Sequence, residues 1–356
     1  MSEERKPGFN TLAIHAGAQP DPATGARVTP IYQTTSYVFE SVDHAASLFN
    51  LETFGNIYSR IMNPTQAVLE QRIAALEGGT AALAVASGHA AQALVFHALM
   101  EPGGEFIAAR QLYGGSINQF TQSFKKFDWR VRFADTDDAD SFRAELSPKT
   151  RAIFVESIAN PGGIITDIAA ISEVAKEAGV PLIVDNTLAT PYLMRPIEHG
   201  ADIIVHSLTK FLGGHGNSIG GAIVDCGTFD WLKSGRYPTL SEPSPSYHGV
   251  TFAETFGDFA FAVACRAFSL RDLGPAISPF NAFLILTGIE TLPLRMQRHC
   301  DNALVVAEWL QGHDKVAWVN YAGLPGNKYH ALARHYCRPG AGAVFTCGLK
   351  GGYEAG

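Results

Sequence analysis

Lys210 stands where an amine can do chemistry. It belongs to the run His206-Ser207-Leu208-Thr209-Lys210-Phe211-Leu212, in which an apolar strand ends in two hydroxyls and a lysine. An ammonium group among Leu208, Phe211 and Leu212 is disfavoured, which makes the free amine a better nucleophile at neutral pH. Such an amine condenses with an aldehyde, and Ser207 and Thr209 can bind an anion beside it. A second strand delivers Asp185, in Val184-Asp185-Asn186-Thr187, to the sheet edge. A partly desolvated carboxylate there needs a cationic partner, although the same residue also suits capping of the next turn. A third strand turns into a helix at Ala86-Ser87-Gly88-His89. Gly88 lets backbone N–H groups approach a ligand closely, and a helix start favours an anion.

An anion, an aldehyde and a ring cation occur together in pyridoxal phosphate, whose protein partners are a lysine and an acid facing the ring nitrogen. Tyr113, between Leu112 and Gly114-Gly115, can stack on such a ring. Competing motifs fare worse. The chain holds no G-x-x-x-x-G-K-[ST] and no H-E-x-x-H. Gly216-Asn217-Ser218-Ile219-Gly220 matches the serine-hydrolase elbow, but a glycine-rich loop precedes it and a strand follows, which is the wrong context. His15, His44, His97 and His335 lack metal-ligand spacing and read as structural or solvated. The five cysteines form no C-x-x-C pair, so the expectation is reduced thiols in a cytoplasmic protein, with no metal site.

The elements that position these residues form an α/β pattern. Strands are expected at Ala81–Val85, Glu105–Ala108, Ala152–Glu156, Pro181–Asp185, Ile203–His206 and Ala222–Val224. Helices are expected from Thr65 as N-cap, at His89–Met100 and at Ile168–Ala178. Nearly continuous apolar strands alternating with amphipathic helices indicate a mostly parallel sheet covered on both faces, with ligands beyond the strand ends. The expected division is an irregular arm over 1–60, a large domain over 61–250 and a smaller α+β domain over 251–356. The last should carry helices at Pro279–Glu290 and Asp301–Leu310. The arm needs something to lie against, and a neighbouring subunit is the functional reading. The aromatic run Phe252, Phe256, Phe259 and Phe261 reads as core or subunit interface. Lys125-Lys126 reads as a solvated face.

The chain has 356 residues, 46% of them hydrophobic and 17% charged, too apolar for a disordered chain. A net charge of -7 without a basic stripe speaks against nucleic acid, and no apolar run approaches the ~20 residues of a membrane helix. The N-terminus, Met1 to Pro7, has no apolar segment behind its charges and does not read as a signal peptide. The chain stops just after a strand-like run, Ala343 to Leu349, and reads as a fragment of something longer.

The sequence resembles the Cys/Met-metabolism family of pyridoxal-phosphate enzymes along essentially its whole length, and most closely the O-acetylhomoserine sulfhydrylase branch. The resemblance rests on Asn56-Ile57-Tyr58-Ser59-Arg60-Ile61-Met62-Asn63-Pro64-Thr65, Leu112-Tyr113-Gly114-Gly115, Val184-Asp185-Asn186-Thr187 and Ser207-Leu208-Thr209-Lys210. The block from Leu273-Gly274 to Arg298-His299 points to the branch. It implies a fold-type I transferase. Lys210 would hold the cofactor covalently and shuttle protons, Asp185 would pair with the ring nitrogen, and Tyr113 would stack on the ring. Ser87, Gly88, His89, Ser207 and Thr209 would surround the phosphate. Tyr58 and Arg60 would reach a neighbouring subunit's phosphate site, implying a dimer or tetramer. Asn160 would contact the cofactor or the substrate carboxylate. Relatives continue past residue 356 into a segment that supplies an arginine for that carboxylate. The implied reaction is γ-replacement, with sulfide or a small thiol displacing acetate from O-acetylhomoserine to give homocysteine or methionine. The alternatives are a cystathionine γ-synthase, a γ-lyase, or a non-catalytic cofactor-binding remnant. Gly115 stands where methionine γ-lyases carry Cys, which weakens the lyase reading.

Overall fold

The computed structural model describes residues 6–355. The charged N-terminal residues up to Arg5, and Gly356, lie outside the described residues. The chain forms two compact units, Met1–Glu101 with Asp202–Glu290, and Pro102–Ala201 with Thr291–Gly356.

In the first unit the strand Gly221–Asp225 lies in the middle, antiparallel to Ala81–Val85 on one side and to Ile203–Ser207 on the other. Its apolar positions are fully buried, as the continuous Ala, Ile and Val run requires. The helix Pro64–Glu77 opens at Asn63, not at Thr65 as expected. Asn63 Oδ1 accepts from Thr65 N at 3.0 Å, and Pro64 occupies the first helical position, where its missing N–H costs nothing. The Thr65 hydroxyl is used elsewhere, donating to the Pro30 carbonyl at 2.7 Å. Gly78, at φ 83°, ends the helix. The segment read as irregular contains two helices, Phe9–His15 and Val42–Phe49; the second is capped by Ser41, which accepts from His44 N.

In the second unit four strands run parallel, in the order Leu182–Asp185, Thr150–Glu156, Glu105–Ala109, Arg130–Ala134. The first three coincide with the expected strands. Arg130–Ala134 was not anticipated, because it alternates exposed and inward positions instead of forming an apolar run. Its Arg132 is paired with Glu145 at 2.8 Å and Glu105 at 3.5 Å. The helix Ile168–Ala178 is capped by Asp167 and closed by Gly179. The expected helix at Asp301–Leu310 extends over Leu292–Gln311, because Pro293 falls in its first turn and so opens it. Thr346–Leu349 pairs antiparallel with Val316–Asn320. Among the described residues no helix is long and apolar enough to cross a membrane, and no group of three or more His, Cys, Asp or Glu can hold a metal ion.

Candidate active site

In the first unit the strand ends bring Ser87, Gly88 and Ser207 together. Ser87 caps the twelve-residue helix Gly88–Leu99, its Oγ accepting from Ala90 N at 3.1 Å. A Cβ built on Gly88 would lie 2.8 Å from Ser207 Cβ and 3.0 Å from Ser207 Cα. Gly221 pairs with both Val85 and Ser207, and a Cβ there would fall on the Ser87 carbonyl. Glycine at these two positions therefore lets the helix start and the end of the strand Ile203–Ser207 close to backbone contact. The result is a compact cradle of N–H groups and hydroxyls suited to an anion. Thr209 completes the turn beyond it: its Oγ1 accepts from Gly220 N at 3.2 Å. His89 is half-buried in the first turn of the helix.

Because the Gly221 contact is backbone against backbone, no side-chain rotation relieves it. Gly221→Ala is expected to destabilise the protein by about 3 kcal/mol and to weaken cofactor retention. Thermal melts of the apoprotein check the first part; an unchanged melting temperature would show that the strands can part without cost.

Lys210 follows in a tight loop in which Gly213 N donates to the Leu208 carbonyl and Gly214 N to the Lys210 carbonyl. The expected apolar surroundings are not what the structure shows. Leu208 and Leu212 turn into the core while the Lys210 side chain is exposed. The loop reverses direction between the leucines, so the sequence neighbours and the amine point apart. The helix Pro279–Glu290 lies against this loop closely enough that a Cβ on Gly288 would meet the Gly213 carbonyl. Ser218 lies late in the long loop between the strands Ile203–Ser207 and Gly221–Asp225, and a strand instead of a helix follows it, so the hydrolase elbow is absent. Arg60 donates to the Arg271 carbonyl and sits 5.5 Å from the Tyr58 ring centre; Tyr58 is exposed.

The second unit carries Asp185, Tyr113 and Asn160. Asp185 ends its strand, and its Oδ1 accepts from Thr187 N at 3.0 Å and Thr187 Oγ1 at 2.5 Å. Both readings of Asp185 are therefore compatible: it caps the following turn and still presents a carboxylate at the strand end. Register places it beside Glu156, the last residue of the neighbouring parallel strand. The two strand ends are cross-tied: Ser157 N donates to the Asp185 carbonyl at 3.0 Å, and Ser157 Oγ to Asn186 Oδ1 at 2.8 Å. Asn186 in turn donates to the Met194 carbonyl at 2.9 Å.

Glu156 was not singled out by the sequence reading. It is buried, and its two carboxylate oxygens accept from the backbone of two residues that were: Tyr113 N to Oε1 at 2.7 Å and Asn160 N to Oε2 at 2.9 Å. The available signal was the one that found Asp185, a carboxylate ending an apolar strand. Burial, and next the Asp185 charge, push the Glu156 carboxyl up from 4.5 to about 8, against the two amide donors, which lower it. Between pH 4.5 and 8 the folded state keeps a proton that the unfolded chain has released, so this group's contribution to stability falls as pH rises through that window. The loss of melting temperature between pH 5 and pH 8 should therefore be smaller in Glu156→Gln than in the wild type. Superimposable melting-temperature profiles would contradict this.

Taken unit by unit, the chain supplies what a fold-type I pyridoxal-phosphate enzyme asks of its protein: an anion cradle at a helix start, a lysine in the loop beyond it, and an acid at a parallel strand end. The glycine-lined cradle fits a phosphate. The model of the family described as "Cys/Met metabolism PLP-dependent enzyme" matches residues 10–356. An O-acetyl-L-homoserine sulfhydrylase from Leptospira meyeri is 54% identical over 97% of this chain and 80% of its own length. O-acetyl-L-homoserine sulfhydrylase 1 of Thermus thermophilus is 53% identical over 98% of this chain and 83% of its own. The crystal structure of a putative O-acetylhomoserine (thiol)-lyase from Campylobacter jejuni, which contains N'-pyridoxyl-lysine-5'-monophosphate, has a TM-score of 0.93 at 38% identity and covers 97% of this chain and 86% of that one. The chain belongs to the Cys/Met metabolism family of pyridoxal-phosphate-dependent enzymes.

Proposed function

We propose that the protein is an O-acetylhomoserine aminocarboxypropyltransferase: sulfide, or a small thiol such as methanethiol, displaces acetate from O-acetylhomoserine and yields homocysteine or methionine. The observation that carries this reading is the 53–54% identity, over nearly all of the chain, to two proteins named O-acetyl-L-homoserine sulfhydrylase.

When bound, pyridoxal phosphate supplies an electron sink for charge developing at the substrate Cα. The rest falls to this chain. Ser87, Gly88, His89, Ser207 and Thr209 bind the phosphate through the helix-start amides and hydroxyls. Lys210 would hold the cofactor through Nζ and would carry protons at that atom; its exposed position leaves it reachable from solvent-borne substrate. Asp185 would pair with the ring nitrogen from the end of its strand. Tyr113, 48% exposed, offers its ring for stacking and its hydroxyl for proton transfer. Asn160 contacts the cofactor or the substrate carboxylate.

The arm over residues 1–60, with Tyr58 and Arg60, reaches a neighbouring subunit's phosphate site in a dimer or tetramer, while residues 61–250 carry the cofactor and 251–356 form the smaller part. The setting is cytoplasmic. The test is product analysis with O-acetylhomoserine and either sulfide or methanethiol. Homocysteine or methionine should form with one equivalent of acetate. A 2-oxo acid and ammonia appearing without added thiol would identify a lyase instead, and preference for cysteine over sulfide would identify a cystathionine synthase.

A further inference from the structure

We infer that Glu156 is a positioning residue for the reaction: one buried carboxylate holds the backbone of Tyr113 and of Asn160 at once, and fixes both to the strand end that carries Asp185.

Tyr113 and Asn160 lie on different segments. Tyr113 precedes the short helix Gly114–Asn118, and Asn160 follows the two-residue strand Ile158–Ala159. Neither is set by a regular ladder at its own N–H. Each donates that N–H to a different oxygen of Glu156, at 2.7 and 2.9 Å. The carboxylate is thus a two-pronged clamp spanning 43 residues on one side and four on the other. Its own placement is over-determined. The Glu156 carbonyl accepts from Thr166 Oγ1 at 2.6 Å, and the next residue, Ser157, is tied to both Asp185 and Asn186. Glu156 and Asp185 occupy paired positions in adjacent parallel strands, so the residue that faces the ring nitrogen and the residue that sets the stacking tyrosine share one rigid edge.

The role also explains why an acid is tolerated at this buried place. Burial and Asp185 disfavour its charge, but a carboxyl group keeps acceptor lone pairs on both oxygens with or without its proton, and so has the reach to serve both amides. Glutamine keeps one acceptor and turns an N–H₂ toward the other donor; alanine removes both and leaves two backbone donors without that acceptor.

The inference rests on the proposed reading of the site, but its test does not depend on which product forms. Amide hydrogen exchange is followed residue by residue in the holoenzyme. In Glu156→Ala, protection at Tyr113 and Asn160 should fall about tenfold or more while Phe154 and Val184, in the same strands, keep theirs. In Glu156→Gln only one of the two amides should lose protection, and this variant carries the test if the alanine form fails to fold. In parallel, kcat/KM should drop about tenfold or more in both, less in the glutamine form, because displacements of about 1 Å at positioning groups are felt that strongly. Unchanged exchange at Tyr113 and Asn160, a loss shared equally by Phe154 and Val184, or a folded variant whose kcat/KM stays at the wild-type value would each overturn the assignment.

Discussion

Lys210→Ala should leave a folded protein that no longer retains pyridoxal phosphate covalently and whose turnover has fallen by a factor of about 10³ or more. Removing a covalent attachment point that also moves protons takes away two contributions at once, and such losses are of that order or larger. The fold should survive because the side chain is exposed and the loop is held by backbone bonds, Gly213 N to the Leu208 carbonyl and Gly214 N to the Lys210 carbonyl. Two measurements read the outcome. Borohydride treatment of the loaded wild type should bleach its yellow colour and leave a pyridoxyl group fixed as a secondary amine on the peptide containing Ser207 to Gly214, and the alanine variant should yield no such labelled peptide. A label that persists on that peptide in the variant, or a wild type that stays colourless after loading, would remove the basis for the whole reading.

Asp185→Asn should lower kcat about 10²–10³-fold with KM for O-acetylhomoserine changed far less, as expected when an electrostatic contact matters chiefly in the transition state. Asparagine is the informative substitution because of the local geometry. Asp185 Oδ1 accepts from Thr187 N and Thr187 Oγ1, and an asparagine oxygen can accept from both. The turn therefore survives while the charge is lost. Asp185→Ala removes turn and charge together, so the difference between the two variants separates capping from electrostatics. If the asparagine form keeps wild-type kcat and only the alanine form is impaired, Asp185 is a turn cap and the ring nitrogen has another partner.

The order of strands and helices was legible where the sequence offered long apolar runs. Ala152 to Val155 and Leu182 to Val184 are buried completely, and a strand covered on both faces has no polar alternation to blur it. The same reasoning missed Arg130–Ala134, where Arg130 and Arg132 interrupt the apolar set at every second position. Pro64 obscured the start of its helix, because Asn63 and Thr65 are both good caps and only the structure shows the hydroxyl of Thr65 committed to Pro30. At the site, Lys210, Asp185, Ser87 and Gly88 were found by one rule, that chemistry gathers where strands end. Glu156 obeys that rule equally well, but its contribution depends on two backbone N–H groups, and a backbone donor has no letter in a sequence. The setting of Lys210 was misjudged for a related reason. Leucines next to an amine in the sequence say nothing of direction once the chain turns within three residues.

The alternating charges of Arg130–Ala134 have a consequence for handling the protein. This strand ends the parallel set, and its outer rim of N–H and C=O groups is a template on which another extended chain can add. Arg130 and Arg132 line that strand with solvated charge, each beside a carboxylate, so a second strand docking there must disturb hydrated ion pairs and finds little apolar surface to bury. The ion pairs with Glu145 and Glu105 add little stability of their own. Their neighbourhood matters as a guard against clumping at the high concentrations of a producing cell, and neutralising both arginines should show itself in the insoluble fraction before it shows in turnover.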